Sequence, residues 1–163
     1  MLECFRMIQG VSLSLLIRAP TIEELANLSE LCLRSKAAWG YDEAFLEACR
    51  RELSFDEQDL QLTSIAVAAH GAELVGVVQV KVTGDQADLL KLFVEPSVLG
   101  CGVGGALLAW ARDIARKNGA TRLIIESDPG AAPFYRRMGA YDVGQAPSGS
   151  IPGRMLPRLA IKL

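Results

Sequence analysis

Between Ser64 and Val94 the chain carries β-rich runs at Ile65 to Ala69, Leu74 to Val82 and Leu89 to Val94, broken only at His70-Gly71 and at Thr83-Gly84-Asp85. Connections that short cannot hold a crossover, so the runs must pair as an antiparallel meander. The meander needs cover, and helical patterns stand on both sides of it. Upstream, Thr21 and Glu24 form a capping box before Leu25, Leu28, Leu31 and Cys32, which recur at helical spacing until Trp39-Gly40. A second helix runs from about Asp42 to Leu53, with Phe45, Leu46, Cys49 and Leu53 on one face and Glu43, Glu47, Arg50 and Arg51 on the other.

Downstream, Val103, Ala106, Leu107, Trp110 and Ile114 form the apolar face of a third helix that ends at Asn118-Gly119. Leu123 to Glu126 reads as a buried strand. Asp128-Pro129 reads as an N-cap followed by proline at the first helical position, opening a short helix with Phe134, Tyr135 and Met138. Strands at Tyr141 to Gln145 and Leu159 to Leu163 close the chain, joined by the Pro-, Gly- and Ser-rich stretch Ala146 to Pro157. At the other end Val11 to Arg18 is a first strand that stops at Ala19-Pro20, with residues 1–10 as a strand extension or a disordered lead-in. The expected whole is a single domain, residues 1–163, of α+β class: a mixed, mostly antiparallel central sheet of about six to seven strands flanked by about four helices.

Several classes of function are set aside by composition. The net charge of −2, with no stripe of lysine and arginine between aromatics, argues against a nucleic-acid partner. Cys4, Cys32, Cys49 and Cys101 lie far apart and His70 is the only histidine, so no metal site is expected. The apolar stretch before Arg18 follows Glu3 and lacks a small-residue cleavage site, which argues against a secretory signal. No apolar run approaches the roughly 20 residues of a membrane span, so a cytoplasmic protein without membrane association is expected.

The most informative segment is Leu99 to Gly105. Gly100, Gly102, Gly104 and Gly105 sit where a strand gives way to a helix, leaving backbone N–H groups unshielded at a helix N-terminus. Such a place suits phosphates. A P-loop would end in Gly-Lys-Ser/Thr, and Gly104-Gly105-Ala106 does not. Gly100, Gly102 and Gly105 fit the dinucleotide pattern GxGxxG, with Glu126 about 20 residues further on, but that pattern turns directly after its strand. Here Glu95 to Leu99 intervene, and the meander excludes a doubly wound sheet.

Leu92-Phe93-Val94-Glu95-Pro96, then Leu99-Gly100-Cys101-Gly102-Val103-Gly104-Gly105 and Leu107-Leu108, resemble motif A of the GNAT superfamily of N-acetyltransferases. Asp128, Ala131, Phe134-Tyr135 and Met138-Gly139-Ala140 resemble its motif B. Two positions depart from the family pattern: Leu99 stands where Gln or Arg is usual, and Asp128 where Asn is usual. Ser35 to Tyr41 and Pro147 to Arg154 also resemble paired segments of one branch of that superfamily, whose substrate is not established.

The resemblance implies an acyltransferase that takes acetyl-coenzyme A as cosubstrate, without metal, and acetylates an amine. On that basis the strand ending Leu92-Phe93-Val94 pairs with the pantetheine arm and offers an N–H to the thioester oxygen. The segment Leu99 to Gly105, including Cys101 and Val103, holds the pyrophosphate through its amides. Tyr135 is the candidate general acid, since a phenol with a reference pKa near 10 is protonated at neutral pH; the alternative is an aromatic that only packs, although Phe134 beside it can do the packing. Asp128 caps the helix or acts near the cofactor or acceptor. The base is Glu126, Asp128, Asp88 or a water chain.

Trp39 and Tyr41 lie where relatives line the acceptor side, Trp39 being equally readable as core. Arg154 lies on a loop with turn chemistry, either solvated or holding an acceptor carboxylate or phosphate. A small-molecule amine is the expected acceptor, and pairing along the last strands would make a homodimer. The rival reading is an inactive acyl-coenzyme A sensor or partner subunit.

Overall fold

A computed structural model describes residues 15–163, and the chain enters it on β1 (Leu15–Arg18). The expected strand portion Val11 to Ser14, and residues 1–10, lie outside the described residues. Glu24 accepts from the Thr21 N–H at 2.9 Å and pairs with Arg18 at 2.7 Å, which fixes the turn into α1 (Leu25–Ala37). The helix α2 (Glu43–Leu53) begins where the Asp42 side chain accepts from the Phe45 N–H at 2.8 Å. A further helix follows, α3 (Glu57–Leu62), which the periodicity does not reveal: six residues give too short a pattern, and its one local mark is the reciprocal bonding of Asp56 and Asp59.

The meander forms as its turns require. The strands β2 (Ser64–His70), β3 (Glu73–Thr83) and β4 (Gln86–Val94) pair antiparallel, and β1 pairs antiparallel with β2. The helix α4 (Val103–Lys117) then carries the chain across to β5 (Arg122–Glu126), which lies parallel to β4. After α5 (Ala132–Arg137) come β6 (Tyr141–Pro147) and β7 (Met155–Lys162), the latter inserted between β5 and β6. Among the described residues the result is one seven-stranded sheet in the order β1-β2-β3-β4-β5-β7-β6, with a single parallel pair, and β6 is mostly exposed at its edge.

Both faces of the sheet are covered, so the central strands are apolar throughout rather than alternating. On one face Ala66, Val78, Leu89, Leu123, Ile125 and Leu159 pack against Leu107, Ala111 and Tyr135 of α4 and α5. On the other, Ile65, Val67 and Val77 pack against Leu28, Leu31 and Cys32 of α1, Cys49 and Leu53 of α2, and Phe55. Gly76 on β3 sets the depth at which α4 docks, because a β-carbon there would lie 2.8 Å from the Leu107 Cδ1 and 3.0 Å from the Val103 Cγ1. Among the described residues no helix is long and apolar enough to cross a membrane.

One expected cap is replaced. Asp128 does not cap α5; Ala131 precedes the helix and Pro133 stands in its first turn. Asp128 instead closes a turn of its own, its Oδ1 accepting from the Gly130 N–H at 2.9 Å and its carbonyl from the Ala131 N–H at 2.9 Å. That turn leaves the other carboxylate oxygen free to face elsewhere.

Candidate functional site

The sheet opens at β4. Leu89 pairs with Val80 and Lys91 with Gln79, so Leu90 has no partner on β3 and forms a bulge. The ladder to β5 ends at the same place, with Leu89 opposite Ile125, although β4 runs on to Val94. A bulge bends and twists its strand, and here it turns Leu90 to Val94 away from β5. The gap becomes a cleft of about 620 Å³ that reaches both layers: Leu53 and Cys49 from one side, Val94, Ile125 and Tyr135 from the other.

One end of the cleft meets the N-terminus of α4. Pro96–Val98 form a single 3-10 turn, and Gly100 and Gly102 then adopt φ of +80° and +85°, which a side chain would strain. The Leu99 and Cys101 N–H groups donate back to the Pro96 and Val98 carbonyls, and the first helical bond is that of Ala106 to Gly102 at 3.1 Å. The N–H groups of Gly100, Gly102, Val103, Gly104 and Gly105 therefore have no carbonyl partner among the described residues, as the first turn of a helix dictates. Amides so placed, at the positive end of a 15-residue helix, can hold an anion. Phe134 packs on the turn: a β-carbon at Gly104 would lie 3.3 Å from its ring.

Of the residues expected to hold a cofactor, Leu92, Phe93, Val94, Leu99, Gly100, Gly102, Gly104, Gly105 and Asp128 line the cleft. Cys101 and Val103 do not: the Cys101 Sγ lies 3.9 Å from the Leu99 carbonyl, and the Val103 side chain enters the core. Leu99 is 53% exposed and brings no charge to the turn.

The aromatic pair on α5 reverses its expected division of labour. Tyr135 is the buried member and Phe134 the half-buried one, edge to face with ring centroids 5.1 Å apart. Tyr135 nonetheless lines the cleft, and burial pushes its phenol well above the ordinary tyrosine value, so it is protonated throughout the neutral range.

At the other end of the cleft, segments remote in sequence converge on Asp128. Its Oδ2 accepts from the Lys36 Nζ at 2.9 Å, the Tyr41 Oη at 2.8 Å and the Arg154 Nη2 at 3.4 Å, while Oδ1 holds Gly130. Arg154 also donates to the Tyr41 oxygen at 2.6 Å. Arg154 is thus no solvated loop residue: its side chain is 19% exposed, that of Lys36 13% and that of Asp128 11%. Burial would raise the Asp128 pKa, but the hydrogen bonds from Lys36, Tyr41 and Gly130 outweigh it and the net shift is downward. A carboxylate with both oxygens engaged and its pKa lowered is a poor base.

Tyr41 stands behind this wall, stacked on Phe45 at 4.0 Å, and does not line the cleft. Trp39 does line it, 48% exposed, its ring filling the space where a side chain at Gly130 would sit. Asp88 is not among the cleft-lining residues and accepts from Gln86 at 3.0 Å, whereas Glu126 lies exposed on the cleft wall. Reading the chain alone misses Lys36, Glu52 and Lys91, all of which line the cleft. Lys36 sits inside the segment Ser35 to Tyr41, and its helical period places it one turn before Tyr41's loop. Glu52 and Lys91 carry no local mark.

The sequence matches the family model described as the acetyltransferase (GNAT) family over residues 23–140. No curated protein is similar enough to match. Among solved structures, the PaiA N-acetyltransferase of Thermoplasma acidophilum in complex with coenzyme A aligns over 92% of this chain and 99% of its own, with 24% identity and a TM-score of 0.76. A GNAT-family acetyltransferase of Staphylococcus aureus Mu50 aligns over 91% and 99%, with 14% identity and a TM-score of 0.71. The ribosomal-protein-S18-alanine N-acetyltransferase of Escherichia coli aligns over 91% and 94%, with 18% identity and a TM-score of 0.67. At these identities the likeness is one of fold.

Proposed function

Because the chain belongs to the acetyltransferase (GNAT) family, we propose that it transfers the acetyl group of acetyl-coenzyme A to the primary amine of a small molecule, within the cleft between β4 and β5. The observation that carries this reading is the continuity of that cleft with the unshared amides at the start of α4. Acetyl-coenzyme A supplies an acyl group activated as a thioester.

Gly100, Gly102, Val103, Gly104 and Gly105 hold the pyrophosphate through backbone N–H groups, and the open edge at Leu92-Phe93-Val94 pairs with the pantetheine arm. An N–H of that edge stabilises the charge that develops on the thioester oxygen. The acceptor nitrogen attacks the thioester carbon directly, forming the amide bond as the carbon–sulfur bond breaks. Tyr135 donates its phenolic proton to the departing thiolate, and the proton lost by the amine passes to Glu126 or to water. Trp39 lines the acceptor end, while Tyr41 orients Arg154 and Asp128 from behind.

The test is a Tyr135→Phe variant assayed beside the parent for coenzyme A release and, by calorimetry, for acetyl-coenzyme A binding. The parent binds acetyl-coenzyme A but not NAD, and the variant keeps that affinity while losing roughly 100-fold or more in turnover. Equal turnover across pH removes Tyr135 from the acid role. A parent that binds but acetylates no amine is instead an acyl-coenzyme A sensor, and one that does not bind acetyl-coenzyme A refutes the reading.

A further inference from the structure

The cluster around Asp128 has more cation than its carboxylate can use. Lys36 from α1 and Arg154 from the loop before β7 both lean on one oxygen, Oδ2, which also accepts from Tyr41. Arg154 spends only its Nη2 there; Nε and Nη1 have no partner among the described residues, and neither is a buried unpaired atom. Lys36 spends one of its three donors. The guanidinium carbon lies 5.1 Å from the Tyr41 ring centroid and 4.9 Å from that of Phe45, beside the stacked pair and tied to it through the Tyr41 oxygen, which holds the group in place.

The other charges facing this end do not absorb the surplus. Glu52 of α2 accepts from the Ser150 hydroxyl and makes no ion pair with either cation. Lys91 of β4 adds a third cation to the wall, bonded to Gln79 at 2.8 Å and lying 4.6 Å over the Phe55 ring. Glu126 is exposed at the end of β5.

We propose that Arg154 and Lys36 form an anion subsite, and that the acceptor is an amine bearing a carboxylate or phosphate group. Asp128 is a positioning residue: its Oδ2, already committed to Lys36, Tyr41 and Arg154, aims the two cations. Resting on the acetyltransferase reading, this inference names its substrate class. Acceptors carrying only positive charge gain nothing from the spare donors of Arg154 and Lys36 and are disfavoured beside them.

Matched amines test it on the intact protein: amino acids against their amides for the carboxylate, and phosphoethanolamine against ethanolamine for the phosphate. The anionic member of at least one pair has a kcat/KM higher by about tenfold or more, carried mainly by KM, as expected for charge-assisted hydrogen bonds. With coenzyme A present, calorimetry with the N-acetylated products shows the same preference without requiring turnover. Arg154→Gln and, independently, Lys36→Gln reduce the preference while acetyl-coenzyme A affinity stays as in the parent, and Arg154→Lys restores part of it.

Equal or reversed preference in both pairs, with acetyl-coenzyme A still bound, overturns the anion subsite and leaves the acetyltransferase reading intact. A preference that survives both glutamine variants likewise overturns the assignment to these residues. Loss of acetyl-coenzyme A binding by the parent is the separate failure of the underlying reading.

Discussion

Asp128 illustrates how far a single residue can be read without its neighbours in space. Its place before a proline suggests a helix cap, and the structure gives it a local turn as well as three remote donors, because only one of its two oxygens is needed for the turn. The glycine run was legible for what it is, since strand, turn and helix are contiguous in sequence. Of the cluster of Lys36, Tyr41, Asp128 and Arg154 the sequence offered three members one at a time but neither Lys36 nor their meeting, because they are brought together only by the packing of α1, the α1–α2 turn, the β5–α5 turn and the β6–β7 loop. Replacing Asp128 by Asn strands two largely buried cations and is expected to cost about 3 kcal/mol at neutral pH. The folded-state pKa lies below the ordinary 3.8, so the carboxylate's contribution is present above that value and is lost as pH falls through the lowered one. Urea unfolding of both proteins should therefore show a large gap at about pH 7 and a narrower one at about pH 3; a gap of constant size would mean that charge is not the cause.

Among the elements, those with long periodic patterns and strong stops, α1, α2, α4 and the three meander strands, were readable from sequence. The bulge at Leu90 was not, although it opens the cleft, since a bulge is a mismatch between two strands and neither strand records it alone. α3 escaped for a different reason: it is a short polar helix held by caps. The depth of α4 against β3 is decided by the absent side chain at Gly76, where a methyl group would meet Leu107 and Val103. Gly76→Ala should lower stability by about 1–3 kcal/mol through overpacking. Because Val103 begins α4, the same change should also weaken acetyl-coenzyme A binding; thermal unfolding and calorimetry read the two effects. Unchanged affinity in a destabilised variant would show that the helix start moves independently of its docking.

Taken whole, the molecule brings a cleft through a covered sheet, with the helix N-terminus on one side and the Asp128 cluster on the other. In the proposed reaction the two reactants occupy it together, and transfer proceeds without a covalent stop on the enzyme. Cys49 is the only described thiol on the cleft wall, and burial raises its pKa, which makes it a poor nucleophile. Initial rates measured against both substrates should give intersecting rather than parallel reciprocal plots, parallel lines being the signature of an acyl-enzyme. The same division has a consequence on a longer timescale. The end of α1 and the two loops that supply Lys36, Trp39 and Arg154 contribute no side chain to the amide-rich turn at α4, so mutations that alter one wall leave the other in place. A lineage built on this frame can exchange one acceptor for another by drift in two loops, while the shared donor site is inherited unaltered.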